Sequence, residues 1–482
     1  MGAGLDAVIV GSGPNGLSAA VALAQAGASV LVLEAMDSIG GGTRTAELTL
    51  PGYLHDVCSG AHPMGILSPY LSTLPLAEHG LAWIQGSASV AHPLDGEPAV
   101  LLRRSLDETA RELGEDQDRY RRLMAPLLDG DPRRLLADVL APLGFPRGPR
   151  SFVRFGLSAI RSVAGLARSR FRGRRAQALL GGCGAHSLLP FDRLLGGAVG
   201  LLFLLTAHLE EWPVAKGGSI AIANALASYL RSLGGRIQTG ARVTTLADLP
   251  PARAYLFDTS PAQLGSIAAP ILPARYLRRL RRFRYGPGVF KLDWALDGPI
   301  PWSDPRCLQA STVHVGGALE ELAEAEAAVW RGEHPDRPFV LLVQQSQLDP
   351  GRAPAGKHTG YAYCHVPSGS KVDRTGVIER QVERFAPGFG DRILARHVMR
   401  PRDLEQHNPN YLGGAITGGV SDLFQAFARP VARWDPYSTP NPRLFLCSAS
   451  TPPGAGVHGM CGYHAARSAL GRLARLPFGP LR

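Results

Sequence analysis

Lysine is nearly missing from this chain of 482 residues. Only Lys216, Lys291, Lys357 and Lys371 occur, so 47 of the 51 basic residues are arginine. The net charge of +11 reflects that bias. No basic stretch is interleaved with aromatics, so no nucleic-acid partner is expected. Cysteine is scarce as well, six in all with no CxxC pair. That excludes a disulfide-stapled domain, a zinc ribbon and dithiol redox chemistry, and it fits a reducing cytoplasm. No long apolar run is present either. Leu194 to Leu209 is sixteen residues with His208 inside, short of the roughly 18–20 that cross a bilayer. It reads as a buried helix. The first thirty-five residues lack the basic start of a secretory leader. Zinc-ligand spacing, a Ser-His-Asp elbow and a P-loop are all absent, and no metal is expected.

What remains is a globular chain, 45% apolar and 19% charged, with material for a sizeable core. Ala7 to Val10 is a short apolar strand. Gly11-Ser12-Gly13-Pro14-Asn15-Gly16 follows at once. Leu17 to Ala26 reads as a helix closed by Gly27, and Val30 to Leu33 as a second strand ending in Glu34. Strand, GxGxxG, helix, strand and acid form one βαβ unit that binds a dinucleotide. Gly11 permits the tight turn, Gly13 lets backbone approach a pyrophosphate, and Gly16 lets helix pack on strand. Pro14 and Asn15 complete the turn before the helix, whose N-terminal N–H groups face the phosphates. Glu34 is placed to accept from ribose hydroxyls and disfavours a 2′-phosphate. No second well-formed GxGxxG exists for a separate nicotinamide unit.

Directly after the acid comes Ser38-Ile39-Gly40-Gly41-Gly42-Thr43-Arg44, and then Pro51-Gly52-Tyr53-Leu54-His55-Asp56. Here the sequence resembles the FAD-dependent oxidoreductases of the phytoene desaturase and amine oxidase superfamily, which carry a Gly-Gly motif and a Gly-aromatic-x-x-Asp segment at these places. Ser450 to Gly462, with Gly454, Gly456, Val457, His458 and Gly459, looks like the closing motif of the phytoene-desaturase-like branch. The resemblance implies non-covalent FAD held by Gly41, Gly42, Thr43 and Arg44 in the second loop, and by Gly456, Val457, His458 and Gly459 at the far end. Lys216-Gly217-Gly218, a helix to Leu233 and a strand over Arg236 to Thr245 would return the chain to the FAD domain, with Val243 on the adenine side. Relatives place a β-meander after that strand. This chain has only Ala247 to Ala252.

The fold class expected is therefore α/β. A Rossmann-type (GR2-like) FAD-binding domain comprises residues 1–74, 213–269 and 429–482. A discontinuous α+β substrate domain comprises residues 75–212 and 270–428, its first insert helical and its second a mixed sheet. Between Val139 and Phe191 there is no acid but nine arginines. Arg150, Arg154, Arg161 and Arg168 recur at helical spacing. Residues 147–175 can therefore lie on an anionic bilayer, or can simply be a solvated helix face.

Four residues are candidates for proton chemistry. Lys291 and Asp293 alternate on one strand and share a face, as a catalytic pair or a structural ion pair. His365 lies in a second strand. His458 sits in the closing loop, where an imidazole of unperturbed pKa near 6.5 is useful as a base. The resemblance implies desaturation or dehydrogenation of a lipophilic substrate, carotenoid-, isoprenoid- or polyketide-like. Hydride would pass to flavin N5, and electrons then to O2, a quinone or another acceptor. Amine oxidation, flavin-dependent isomerisation or saturation, and flavin binding without turnover are the alternatives.

Overall fold

Apolar runs without alternation suit strands covered on both faces. Ala7 to Val10, Val30 to Leu33 and Ala254 to Phe257 are such runs, and nearly all of their residues are buried. The computed structural model describes residues 4–481. Residues 1–3 and 482, the outermost of the expected FAD-domain segments, lie outside the described residues. The runs build a five-stranded parallel sheet in the order Leu444–Leu446, Ala252–Phe257, Leu5–Val10, Val30–Leu33, Arg236–Gln238. Its first strand, Leu5–Val10, therefore lies in the middle.

The helix Pro14–Gln25 starts with proline at its first turn, where a missing N–H costs nothing. The C-terminal helix Met460–Leu473 crosses it very closely. A Cβ on Gly462 would lie 1.8 Å from the Asn15 carbonyl oxygen, and one on Gly459 would lie 2.2 Å from Ser18 Oγ. Gly459 thus serves this helix crossing, which joins the two ends of the chain over the glycine-rich turn.

A seven-stranded mixed sheet forms the second layer. Its order is Ile393–Met399, Gly288–Leu296, His358–Val366, Val340–Val343, Ala310–Val315, Ala88–Leu94, Glu97–Leu102. All neighbours are antiparallel except Ala310–Val315 with Ala88–Leu94. The first insert was expected to be helical, yet it is not purely so. It gives this sheet a hairpin, whose prolines Pro93 and Pro98 hide the strand pattern. Seven α-helices follow between Leu106 and Leu209.

Two further expectations change. The strand over Arg236 to Thr245 stops at Gln238. Gly240 turns at φ +65°, and the Thr244 and Thr245 N–H groups donate to Asp248 instead of to a neighbouring strand. The arginines of residues 150–168 do not share one helix. Pro149–Ala159 ends before Ser162, whose Oγ accepts from Gly165 N–H at 3.0 Å and starts the next helix, Val163–Arg170. Arg161 falls in the break. The apolar run is the helix Gly196–Leu209. Among the described residues no helix is long and apolar enough to cross a membrane.

Candidate active site

The glycine-rich turn closes on the next strand end. Gly11 has φ +102°, where side chains are strained. A Cβ on Gly13 would lie 2.8 Å from Asp258 Oδ2, and one on Gly16 would lie 2.1 Å from the Gly11 carbonyl oxygen. The second loop reaches the first, because a Cβ on Gly41 would lie 3.0 Å from Gly13 Cα. Gly42 passes under Tyr411, whose Oη would be 2.3 Å from a Cβ there. Thr43 turns inward and donates to the Gly40 carbonyl at 2.7 Å.

Glu34 is knotted into this cradle. Its Oε2 accepts from Ser12 N–H at 2.9 Å and Ser12 Oγ at 2.6 Å. Its Oε1 accepts from Met36 N–H at 2.9 Å and Arg44 Nη2 at 3.1 Å. Four donors fill the carboxylate's lone-pair sites, so Glu34 braces the turn before any ribose arrives. Arg44 also donates to the Ser38 carbonyl.

The cradle fits a dinucleotide. The helix at Pro14 has no side-chain cap, which leaves its N-terminal dipole for a phosphate. Asn15 lines the cavity above it, and its Oδ1 is buried without a partner among the described residues. One cavity of about 900 Å³ runs from this cradle. Gly11, Gly13, Pro14, Asn15, Glu34, Gly41, Gly42, Thr43 and Arg44 line one end, with Val243, Gly456 and Val457. Phe152, Phe155, Ile160, Leu202, Phe203 and Leu341 line an apolar limb. Gly16 and Gly459 shape the cradle from behind the wall.

The four candidates for proton chemistry do not reach the cavity wall. Lys291 donates to Asp293, both buried on the strand Gly288–Leu296, second from the sheet edge. Burial works against the Asp293 charge, yet Lys291, His397 and His55 hold the carboxyl below its usual range. Lys291 Nζ sits 4.5 Å from the centroid of the Tyr361 ring, and it is Tyr361 that lines the cavity. The strand therefore carries a structural ion pair behind an aromatic wall. His365 Nδ1 faces Glu326 Oε1 at 2.7 Å, both buried.

His458 turns away from the cavity and caps the last helix. Its Nδ1 accepts from Met460 N–H at 3.0 Å. Burial pushes the imidazole down to about 4, so it is neutral near pH 7 and a poor base.

Other titratable groups hold the wall. Asp258 ends the strand Ala252–Phe257, and its Oδ2 accepts from Gly16 N–H at 2.9 Å. Burial pushes its carboxyl up to about 7; the Gly16 N–H opposes this and the Glu34 charge adds to it. In the sequence Asp258 is only an acid after the apolar run Ala254 to Phe257; its place beside the glycine-rich turn comes from the sheet order. His62 bonds Ser219 Oγ through Nε2 at 2.8 Å, and His407 is pushed down to about 4 by burial, Arg44 and Lys291. His186, in a glycine-rich helix end, carried no sequence signal.

Comparison with known proteins agrees with this geometry. A family model described as an NAD(P)-binding Rossmann-like domain matches residues 9–70. Pyridine nucleotide-disulfide oxidoreductase domain-containing protein 2 of Mus musculus is 26% identical, over 96% of this chain and 92% of its own. A neurosporene-forming phytoene desaturase of Rhodobacter capsulatus is 26% identical, over 95% and 92%. Among solved structures, an oxidoreductase from Methanosarcina mazei superposes with a TM-score of 0.65 at 16% identity, covering 96% and 99%. A putrescine oxidase variant gives 0.62 at 16%, covering 98% and 99%. The six cysteines here are all free and buried. With the parallel sheet, the glycine cradle and these relatives together, the chain is an FAD-dependent oxidoreductase, similar in sequence to phytoene desaturases and in fold to amine oxidases.

Proposed function

We propose that the protein is a dehydrogenase or desaturase of a lipophilic substrate, with residues 1–74, 213–269 and 429–482 as its FAD domain. The observation that carries this reading is the single cavity joining the dinucleotide cradle to an apolar limb. Bound FAD supplies the two-electron acceptor. The chain's own residues bind, orient and exclude water. Phe152, Phe155 and Phe203 offer large apolar faces to a substrate chain, and Tyr361 and Tyr363 stand edge-on, at 89°, between the limb and the buried Lys291 pair.

Amine oxidation is the second reading, favoured by the likeness to putrescine oxidase. The wall offers little to an ammonium. Its carboxylates are Glu34, Asp258 and Asp138. Glu34 is saturated, Asp258 lies in the cradle, and Asp138 accepts from Arg147 and Gly148 N–H. A buried unpaired ammonium is costly.

The cavity mouth supports access from a bilayer. Leu143, Phe145, Ile160, Phe427 and Trp434 line the cavity and are also exposed, Phe145 at 92%. Arg147, Arg150 and Arg154 are exposed beside them.

The test is anaerobic bleaching of the bound flavin by isoprenoid polyenes and by alkylamines. Bleaching by polyenes is expected, with reoxidation by O2 and by a quinone compared afterwards. Bleaching by amines alone would move the assignment to amine oxidation. An FAD-loaded protein that neither class reduces would refute both.

A further inference from the structure

The inner end of the apolar limb sets the His186 side chain in an aromatic box. His186 follows the helix Arg174–Ala185 and lines the cavity. Its ring lies 4.3 Å from that of Phe203, 5.9 Å from Trp212 and 6.4 Å from Phe339 by centroid. Its one hydrogen bond to protein among the described residues joins its Nε2 to His314 Nε2 at 2.9 Å. Its Nδ1 is left for whatever fills the limb.

The histidines behind it fix which hydrogen His186 presents. His314 and His92 stand on paired strands, fully buried. His92 bonds the Gly317 carbonyl through Nε2 at 2.7 Å. A carbonyl only accepts, so neutral His92 carries its proton there and its Nδ1 is a bare lone pair. His314 Nδ1 and His92 Nδ1 both face Gly182, at 2.7 and 2.8 Å from where its Cβ would be, and neither has a partner. Buried orphan N–H groups are rarer than buried orphan acceptors. His314 therefore keeps Nδ1 bare and carries its proton on Nε2. That N–H donates to His186 Nε2, and neutral His186 then bears its proton on Nδ1. Burial and neighbouring histidines push His186 down to about 3 and His314 below its ordinary value, and burial pushes His92 down to about 4, so all three rings are neutral near pH 7.

We propose that this inner end is a subsite for one neutral acceptor oxygen, a carbonyl or hydroxyl, on an otherwise apolar substrate, hydrogen-bonded by His186 Nδ1–H. The inference rests on the lipophilic reading and narrows it. A protonated amine has no lone pair for the N–H. A carboxylate finds no positive charge in the box to offset its desolvation.

Equilibrium dialysis of the FAD-loaded protein with dodecane, dodecanol, dodecanal and dodecylamine tests it. Dodecanal and dodecanol should bind roughly threefold to tenfold tighter than dodecane, the yield of one net hydrogen bond. His186→Phe should erase that preference, and His186→Gln, which keeps a neutral N–H, should retain part of it. In ¹⁵N-histidine spectra, one ring protonated on Nδ1 should shift when dodecanal is added. Equal binding of dodecanal and dodecane, or tightest binding of dodecylamine, overturns the subsite. Failure of dodecane itself to bind refutes the lipophilic reading, and the subsite with it. A preference that survives His186→Phe in FAD-loaded protein would move the donor elsewhere and also overturn the proposal.

Discussion

Removing the Glu34 carboxylate should do more than loosen FAD. Glu34 and Arg44 have side chains only 8% exposed, and they form an ion pair at 3.1 Å. Glu34→Ala strands the Arg44 guanidinium with only the Ser38 carbonyl and removes the acceptor for Ser12 and Met36 N–H. Breaking a buried pair from one side costs about 3–5 kcal/mol. Arg44→Ala is gentler, since Ser12 and Met36 still satisfy the carboxylate. The double variant Glu34→Ala/Arg44→Ala leaves no stranded charge and should be more stable than Glu34→Ala alone. Urea unfolding of the apoproteins gives this order directly. FAD titration by flavin fluorescence should then show weaker binding to Glu34→Ala through the unbraced turn, since four protein donors already fill the carboxylate's acceptor sites. If the double variant is the least stable of the three, Arg44 is not a stranded charge and the reasoning fails. If FAD binds all variants equally, the Glu34 brace does not shape the dinucleotide cradle.

Burial raises the Asp258 carboxyl from its ordinary 3.8 to about 7 in the fold. The apoprotein is favoured below about pH 4 and loses that increment as pH rises to about 7; Asp258→Asn should remove this slope from the difference between the two urea-unfolding curves. His458→Ala should cost about 1 kcal/mol for the lost helix-start acceptor and leave flavin reduction far from the 10²-fold drop expected of a general base. The wild-type His458 contribution is lost as pH falls from 6.5 towards about 4, and this loss should be missing from the Ala variant's melting curves. Leu143→Asp/Phe145→Asp should abolish co-sedimentation with anionic phospholipid vesicles, while Arg150→Ala/Arg154→Ala should weaken it in a salt-dependent way. Equal sedimentation of all three proteins would refute docking through the cavity mouth.

The cofactor cradle was legible because its constraints are local. A turn between strand and helix needs glycine at fixed offsets, so Gly11, Gly13 and Gly16 announce themselves within six residues. Glu34 is legible for the same reason. Asp258 acts at the same place but comes from a strand more than two hundred residues away, and its role depends on the sheet order that sets Ala252–Phe257 beside Leu5–Val10. The hairpin of Ala88–Leu94 and Glu97–Leu102 was obscured by two prolines, although Pro93 and Pro98 sit where the ladder tolerates them. The arginine spacing from 150 to 168 was real, but Ser162 restarts the helix and breaks the common face.

The proton-chemistry candidates failed for a more general reason. Strand alternation tells which residues share a face, and Lys291 and Asp293 do share one. It does not tell whether another side chain stands between that face and the cavity. Tyr361, directly across from Asp293 in the neighbouring strand, fills that position and its ring takes the Lys291 ammonium. Closing-loop sequence likewise places His458 near the flavin without fixing its rotamer, and the uncapped helix start at Met460 claims its Nδ1. What each polar group does is settled by the unmet hydrogen bond closest to it. By the same rule His186 is the group to follow, since its Nδ1 meets no protein acceptor and opens onto the substrate limb.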